Sequence, residues 1–165
     1  MNADIDDESL HPSSLDRLDR RILAALQANG RISNQELAAQ VHLSPAQSNR
    51  RHKRLEAMGF IKRYEARLDA DRLGLGVTAF VHITMDRGQF KEVQKFQRNV
   101  GKMPQVLECY AVTGDFDYVC KVVARDLKAL SDFLLGTLAQ LPGVNGVRSS
   151  VCLNELKNTR ALPLD

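Results

Sequence analysis

Two helix starts lie eleven residues apart within residues 33–54, and they constrain the fold more than any other feature of the chain. Ser33 is followed by Glu36, and Ser44 by Gln47, the spacing at which two side chains cap the first turn of a helix reciprocally. A proline follows Ser44, at the first helical position, where its missing N–H costs nothing. The sequence therefore predicts two short helices joined by a tight turn.

The second of these helices is strongly basic. Four cations fall within five residues, with Glu56 as the nearest acid: Arg50, Arg51, Lys53 and Arg54. The chain of 165 residues has a net charge of +3, but residues 15–67 carry +6, against −4 over 1–14. A solvated helix face is the simpler interpretation, but this charge excess suits a polyanion. The pattern is typical of a helix-turn-helix whose second helix enters the DNA major groove.

We predict eight DNA contacts. Gln47, Asn49 and Arg50 lie in the first turns of the second helix, which reach base edges. Arg51 and Arg54 are placed for either bases or phosphate. Replacing Lys53 should weaken binding to all DNA similarly. The predicted interface is completed by two further residues, Ser44 and Arg63.

The chain divides into five predicted segments. Helical spacing of apolar residues over 15–28 adds a third helix to the pair, and residues 61–68 resemble a strand, the wing of a winged helix. Charges and glycines over 69–76 suit a connector. The segments are a mobile tail (1–14), a winged helix-turn-helix (15–68), a linker (69–76), a second domain (77–157) and a C-terminal tail (158–165).

The second domain has the element order strand, helix, strand, strand, helix, strand. Gly114-Asp115 lies between two alternating runs and predicts a hairpin in which Glu108 opposes Lys121. This order predicts an α+β fold with a ferredoxin-like βαββαβ sheet and both helices on one face. The other face would expose apolar side chains, so we expect dimerisation through it: Phe80, Tyr110, Val112, Val119 and Val123.

Several classes of protein are disfavoured. No apolar run approaches the roughly 20 residues that a membrane span needs, so we expect a cytoplasmic protein. We find no nucleophile–base pairing, glycine-rich phosphate loop or metal-ligand cluster, and expect neither an enzyme nor a cofactor. The hairpin register places Cys109 opposite Cys120, which would allow a redox switch. In a cytoplasmic chain we expect reduced core cysteines instead.

Taken together, several stretches resemble the Lrp/AsnC family of transcriptional regulators. They are Leu-Asp-Arg-Arg-Ile-Leu at 18–23, Asn-Gly-Arg-Ile-Ser-Asn at 29–34, Leu-Ser-Pro at 43–45, Arg-Leu-Glu at 54–56, Gly-Phe-Ile at 59–61, Gly-Asp-Phe-Asp-Tyr at 114–118 and Leu-Pro-Gly-Val at 141–144. The resemblance implies a C-terminal domain that senses an amino acid, and dimers that assemble further to tetramers or octamers. An architectural DNA-binding protein without an effector is the alternative.

Spacing alone predicts that residues 114–117 are a simple hairpin turn. The resemblance instead implies that this loop borders the effector site, and it suggests which residues would bind the effector. Asp115 or Asp117 would pair with the effector's ammonium group, and N–H groups at the Gly114 turn would donate hydrogen bonds to its carboxylate. The side-chain pocket would be shaped by Tyr110, Thr113, Val147 and Ser149. One departure from the family lies on the second helix of the pair, where Ser48 and His52 replace small apolar or branched residues. A buried His52 would need a hydrogen-bond partner.

Overall fold

The computed structural model describes residues 15–86 and 90–164, so the predicted mobile tail over 1–14 lies outside the described residues. The chain divides into two compact units. The first contains the residues up to Arg67 together with those from Asn158 onward, and the second is Leu68–Lys157. Residues 158–164 therefore belong to the first unit, although the sequence predicts a separate tail over 158–165.

Three helices form the first unit: α1 (Arg17–Ala28), α2 (Asn34–Val41) and α3 (Pro45–Ala57). The capping boxes predicted at Ser33 and Ser44 are confirmed. A third box, which the sequence analysis missed, opens α1, where the side chains of Asp16 and Asp19 cap each other's backbone N–H groups. His42 closes the turn between α2 and α3 in the left-handed region, at φ 57°.

The core of the first unit lies between the three helices. Its largest fully buried apolar side chains are Ile22, Leu37, Val41 and Leu55. Leu164, from the far end of the chain, packs against this core. Gln27 Nε2 donates to the carbonyl oxygen of Leu162 at 3.0 Å, and the Leu162 N–H donates to Gln27 Oε1 at 2.6 Å. The C-terminal segment therefore completes the first unit.

The prediction of a strand over residues 61–68 is wrong, because these residues form no strand in the structure. A strand needs a neighbouring backbone, whereas the bonds shown here run through side chains. The Tyr64 hydroxyl donates to Glu56 at 3.0 Å, Glu65 pairs with Arg160, and Arg67 donates to the carbonyl oxygen of Asn158 at 2.6 Å. The segment is thus held by α3 on one side and by the C-terminal residues on the other.

The second unit is a four-stranded antiparallel sheet in the order β2-β3-β1-β4. Its elements are β1 (Val77–Met85), α4 (Phe90–Val100), β2 (Val106–Ala111), β3 (Tyr118–Ala124), α5 (Leu127–Gly136), a short 3₁₀ helix (Leu138–Gln140) and β4 (Val144–Val151). The sequence predicts a helix that starts at Gln89, and this start lies outside the described residues. Both helices pack on one face, over a core that includes Val81, Phe96, Val122 and Leu134. The predicted α+β architecture is confirmed.

The hairpin register is confirmed where it was predicted from the turn: Glu108 pairs with Lys121 and Cys109 with Cys120. A shift between Val106 and Glu108 interrupts the register at the start of β2. On the helix-free face Phe80, Tyr110 and Val112 are 43%, 57% and 39% exposed. Val123, expected on the same exposed surface, is buried.

Candidate nucleic-acid interface and ligand recess

The start of α3 presents polar and basic side chains. Ser44 and Gln47 are exposed, but their side chains are used for capping: the Ser44 hydroxyl accepts the Gln47 N–H at 3.3 Å, and the Gln47 carbonyl accepts the Ser44 N–H at 3.4 Å. Asn49 is half-buried. Arg50 and Lys53 are exposed, and neither forms an ion pair within the described part of the chain. They are the α3 cations most available to an outside partner.

Arg51 and Arg54 have partners within the first unit. Arg51 Nη1 lies 2.6 Å from Asp16 Oδ2 and 2.9 Å from Asp19 Oδ1, and Arg54 Nη2 lies 2.5 Å from Asp19 Oδ2. Asp19 is fully buried, so its charge is compensated by these two guanidinium groups. The Asp19 backbone N–H and the Arg51 side chain hold the pKa of Asp16 below its ordinary value. These ion pairs compete with the DNA contacts predicted for Arg51 and Arg54, and they fix α3 against α1.

The hydrogen-bond partner that the sequence analysis required for His52 is Tyr64. His52 Nε2 lies 2.5 Å from the Tyr64 hydroxyl, which in turn donates to Glu56. Burial, followed by the Glu56 carboxylate, raises the pKa of Tyr64 to about 12. Ser48 is fully buried, and its hydroxyl has no partner among the described residues. This side of α3 therefore packs inward, leaving the side with Arg50 and Lys53 toward solvent.

Arg63 follows α3 in the irregular segment. Its side chain is 74% exposed, and its Nε lies 2.8 Å from Glu65 Oε2. An ion pair this exposed holds a side chain weakly, because water solvates both charges. Arg63 can therefore exchange Glu65 for another anion.

The helix-free face of the second unit contains a recess of about 410 Å³. It is lined by β1, β4 and the loop between β2 and β3, through His82, Thr84, Asp115, Phe116, Gly146 and Arg148. The Phe116 ring lies 4.7 Å from the His82 ring and 5.9 Å from Arg148 Cζ. One carboxylate and one guanidinium thus line the same small space, which suits a ligand with both charges. The described residues contain no cluster of three or more His, Cys, Asp or Glu that could hold a metal ion.

Two family profiles match the chain. Residues 15–62 match a winged helix-turn-helix DNA-binding domain, and residues 78–162 match the Lrp/AsnC ligand binding domain. The chain belongs to the Lrp/AsnC family. As a family member it combines a DNA-binding first unit with a ligand-binding second unit. None of its described helices is long and apolar enough to cross a membrane.

Curated relatives and solved structures agree with the Lrp/AsnC assignment. The leucine-responsive regulatory proteins of Escherichia coli K12 and Serratia marcescens are each 41% identical over 158 residues, 96% of either chain. A Neisseria meningitidis transcriptional regulator, crystallised as a complex with L-Met, superposes with a TM-score of 0.89 at 40% identity, covering 92% of this chain and 97% of its own. E. coli AsnC gives a TM-score of 0.82 at 26% identity, covering 90% of this chain and 99% of its own.

The effector residues implied by the Lrp/AsnC resemblance are dispersed in the structure. Asp115 lines the recess, next to the Gly114 turn at φ 115°. The Asp117 carboxylate accepts the Met85 N–H at 2.7 Å, so one of its oxygens stabilises the loop. Thr113 is exposed in the same loop. The Tyr110 hydroxyl donates to Glu108 at 2.9 Å.

Val147 and Ser149 lie on the opposite face of the sheet from the recess. They pair with Ile83 and Val81, whose side chains are in the helix-side core. The recess instead contains Arg148, the residue between them, which pairs with His82. Neither His82 nor Arg148 was among the effector residues expected from the sequence. The alternation of β4 gave a signal, since the residue between Val147 and Ser149 must face the other way.

Proposed function

We propose that this chain is a sequence-specific DNA-binding transcriptional regulator of the Lrp/AsnC family, modulated by an amino acid that binds in the recess of the second unit. The observation that carries the proposal is that a carboxylate, Asp115, and a guanidinium, Arg148, line the same recess of a ligand-binding domain. We further propose that the protein acts in the cytoplasm, without catalysis of its own and without a cofactor.

DNA binding is supported by the division of cations on α3. Arg51 and Arg54 hold the helix in place, while Arg50 and Lys53 stay exposed. Asn49 and Arg50, in the first turns, are placed to read base edges, because the start of a recognition helix penetrates furthest into the major groove. Lys53 and Arg63 would contact phosphate, which positions the protein without selecting a sequence. Ser44 and Gln47 would contribute from the helix start while capping it.

The charges that line the recess favour an amino acid as the ligand. A free α-amino acid carries a carboxylate, which a guanidinium binds bidentately, and an ammonium group, which a carboxylate accepts. Arg148 and Asp115 supply these two groups from different elements, one from β4 and one from the hairpin loop. A volume of about 410 Å³ is enough for a small or medium side chain beside His82 and Phe116. The Neisseria relative, which holds L-Met, supports the same class of ligand.

We also propose that the second units dimerise through their helix-free faces and that the dimers assemble to tetramers or octamers. Phe80, Tyr110 and Val112 expose a large part of their apolar surface on this face. Burying such surface is the main favourable term in association. Because the recess opens on the same face, dimerisation would place the effector at a subunit interface. Effector binding would then change the assembly by favouring one state over another.

Calorimetry on the full chain, titrated with the twenty amino acids one at a time, tests the effector proposal. We expect saturable binding of at least one. Arg148→Ala and Asp115→Asn should each weaken that binding about 10- to 100-fold, since a hydrogen bond to a charged group contributes about 1.5–3 kcal/mol. Arg125→Ala, at an exposed position 78% accessible, is the matched control and should leave affinity unchanged. DNA binding without any amino acid response would favour an architectural protein.

A further inference from the structure

The hairpin of the second unit brings two thiols together. Of the three cysteines in the chain, Cys109 on β2 and Cys120 on β3 are direct cross-strand partners, and their Sγ atoms lie 3.2 Å apart. Both are free thiols, as is Cys152. Reduced core cysteines were the expectation from the sequence. Cys120 is fully buried, but Cys109 is exposed, because β2 is the edge strand of the sheet.

Cys109 is accessible to small molecules through a second recess, of about 470 Å³, between β2 and the end of α4. Its lining includes Val100, Leu107 and Tyr118 as well as Cys109. This recess lies on the helix side of the sheet, whereas the one with Asp115 opens on the other face. The thiol pair is therefore separate from the proposed effector site.

The backbone geometry suits a bond between the two sulfurs. Directly opposed residues in an antiparallel pair have Cα atoms about 4.5–5.5 Å apart, within the roughly 4.4–6.8 Å that disulfides span. Closing the bond needs the sulfurs to approach from 3.2 Å to about 2.05 Å. Because the two residues are already direct cross-strand partners, the bond needs no change of strand register.

The two thiols differ in reactivity. The Cys120 thiol donates a hydrogen bond to the Cys109 sulfur, which lowers the pKa of Cys109. The same bond, followed by burial, raises the pKa of Cys120. A thiolate is the nucleophilic form of cysteine. The exposed Cys109 sulfur is thus the one that reacts first with an oxidant.

We propose that Cys109 and Cys120 form a dithiol site that hydroperoxides oxidise to an intrachain disulfide across the β2–β3 hairpin. The Cys109 thiolate attacks one peroxide oxygen, the O–O bond breaks, and the products are a sulfenic acid on Cys109 and an alcohol, or water from hydrogen peroxide. The Cys120 sulfur then attacks the Cys109 sulfur, forming the S–S bond and releasing water. Two electrons pass from the thiols to the peroxide.

The test uses the purified, fully reduced chain and hydrogen peroxide in molar excess. After peroxide is removed, the protein is unfolded, alkylated with N-ethylmaleimide and weighed by mass spectrometry. Without peroxide we expect three adducts, and with peroxide one adduct and the loss of two hydrogens. Peptide mapping should locate the bond between β2 and β3, and a non-reducing gel should show a monomer. Cys152→Ser, the matched control, should still form the disulfide.

Single variants separate the two steps. Cys120→Ser should stop at the sulfenic acid, which dimedone labels on Cys109, and Cys109→Ser should not react. Three adducts on peroxide-treated wild-type protein would overturn the proposal, as would a covalent dimer linked through Cys109 or oxidation at Cys152 alone. Peptide mapping of the wild-type protein gives the answer even if a variant does not fold. The readout does not depend on DNA or amino acid binding.

Discussion

Replacing Arg51 and Arg50, neighbours on α3, by alanine should give opposite results. Arg51 lies 26% exposed against Asp16 and Asp19, whereas Arg50 is exposed and forms no ion pair among the described residues. We therefore expect Arg51→Ala to lower the stability of the first unit, and Arg50→Ala to impair DNA recognition with stability preserved.

The magnitude for Arg51→Ala follows from what remains around Asp19. Removing one partner of a buried ion pair costs about 3–5 kcal/mol when the other charge is left alone. Here Arg54 still lies 2.5 Å from Asp19, and the Asp16 N–H still donates to it at 3.3 Å. We expect a smaller loss, about 2–3 kcal/mol, because the remaining charge is partly compensated. Arg50→Ala should change stability by less than about 0.5 kcal/mol.

Hydrogen exchange with mass spectrometry is the appropriate assay because it reports each unit separately. In Arg51→Ala, peptides from α1 and α3 should exchange about 30- to 150-fold faster, with peptides from the sheet unchanged. DNA recognition is measured by mobility shift, with a duplex selected from a random pool and an unrelated duplex. Arg50→Ala should reduce the preference between the two by about 1–3 kcal/mol.

A stabilising role for Arg51 would be ruled out if Arg51→Ala exchanged like the wild type and lost DNA preference as much as Arg50→Ala. That result would mean that Arg51 contacts DNA and that Asp19 is stable with Arg54 as its sole guanidinium partner. Lys53→Ala provides a further comparison: it should weaken binding to both duplexes equally, as a phosphate contact does.

Three other predictions concern stability. The pKa of Tyr64 is about 12, against an ordinary value of 10.0, so its contribution to stability should be complete below pH 10 and be lost as pH rises toward 12. Unfolding of Tyr64→Phe, measured across that pH range, should lack this loss. Identical pH profiles for the wild type and the variant would contradict the prediction. Gly143→Ala should lower the melting temperature by an amount equivalent to about 2 kcal/mol or more, because φ at this position is +79° and the new Cβ would lie 2.8 Å from Glu92 Cβ. An unchanged melting temperature would show that the loop adapts. Deleting residues 158–165 should speed hydrogen exchange in α1 by an amount equivalent to about 1–2 kcal/mol, since the deletion uncovers the core beneath Leu164. Exchange in the second unit should stay constant. If α1 exchanged at the same rate with and without the segment, the segment would contribute nothing to stability.

The parts of the fold that could be predicted from sequence depend on neighbours along the chain. The boxes at Ser33 and Ser44 and the hairpin at Gly114 join residues a few positions apart, so their signatures are local. The strand predicted over 61–68 failed because strand formation depends on a distant partner. This chain supplies side chains there instead, including Arg160 from its far end.

The candidate sites show the same limit. Four cations within five residues of α3 were evident from the sequence. Which of them have ion-pair partners was not, since Asp19 lies 32 and 35 positions from Arg51 and Arg54. The recess likewise depends on the pairing of β1 with β4, which places Arg148 opposite His82. Alternation indicates which β4 residues share a face, but only the packed helices decide which face is covered.

The first unit combines two segments of the chain that are far apart in sequence, and this order affects how the unit folds during synthesis. On the ribosome, Leu164 emerges only after the entire second unit, so the core of the DNA-binding module is closed last. An insertion next to Leu164 would therefore disturb the core of the DNA-binding module, although it follows the ligand-binding domain in sequence.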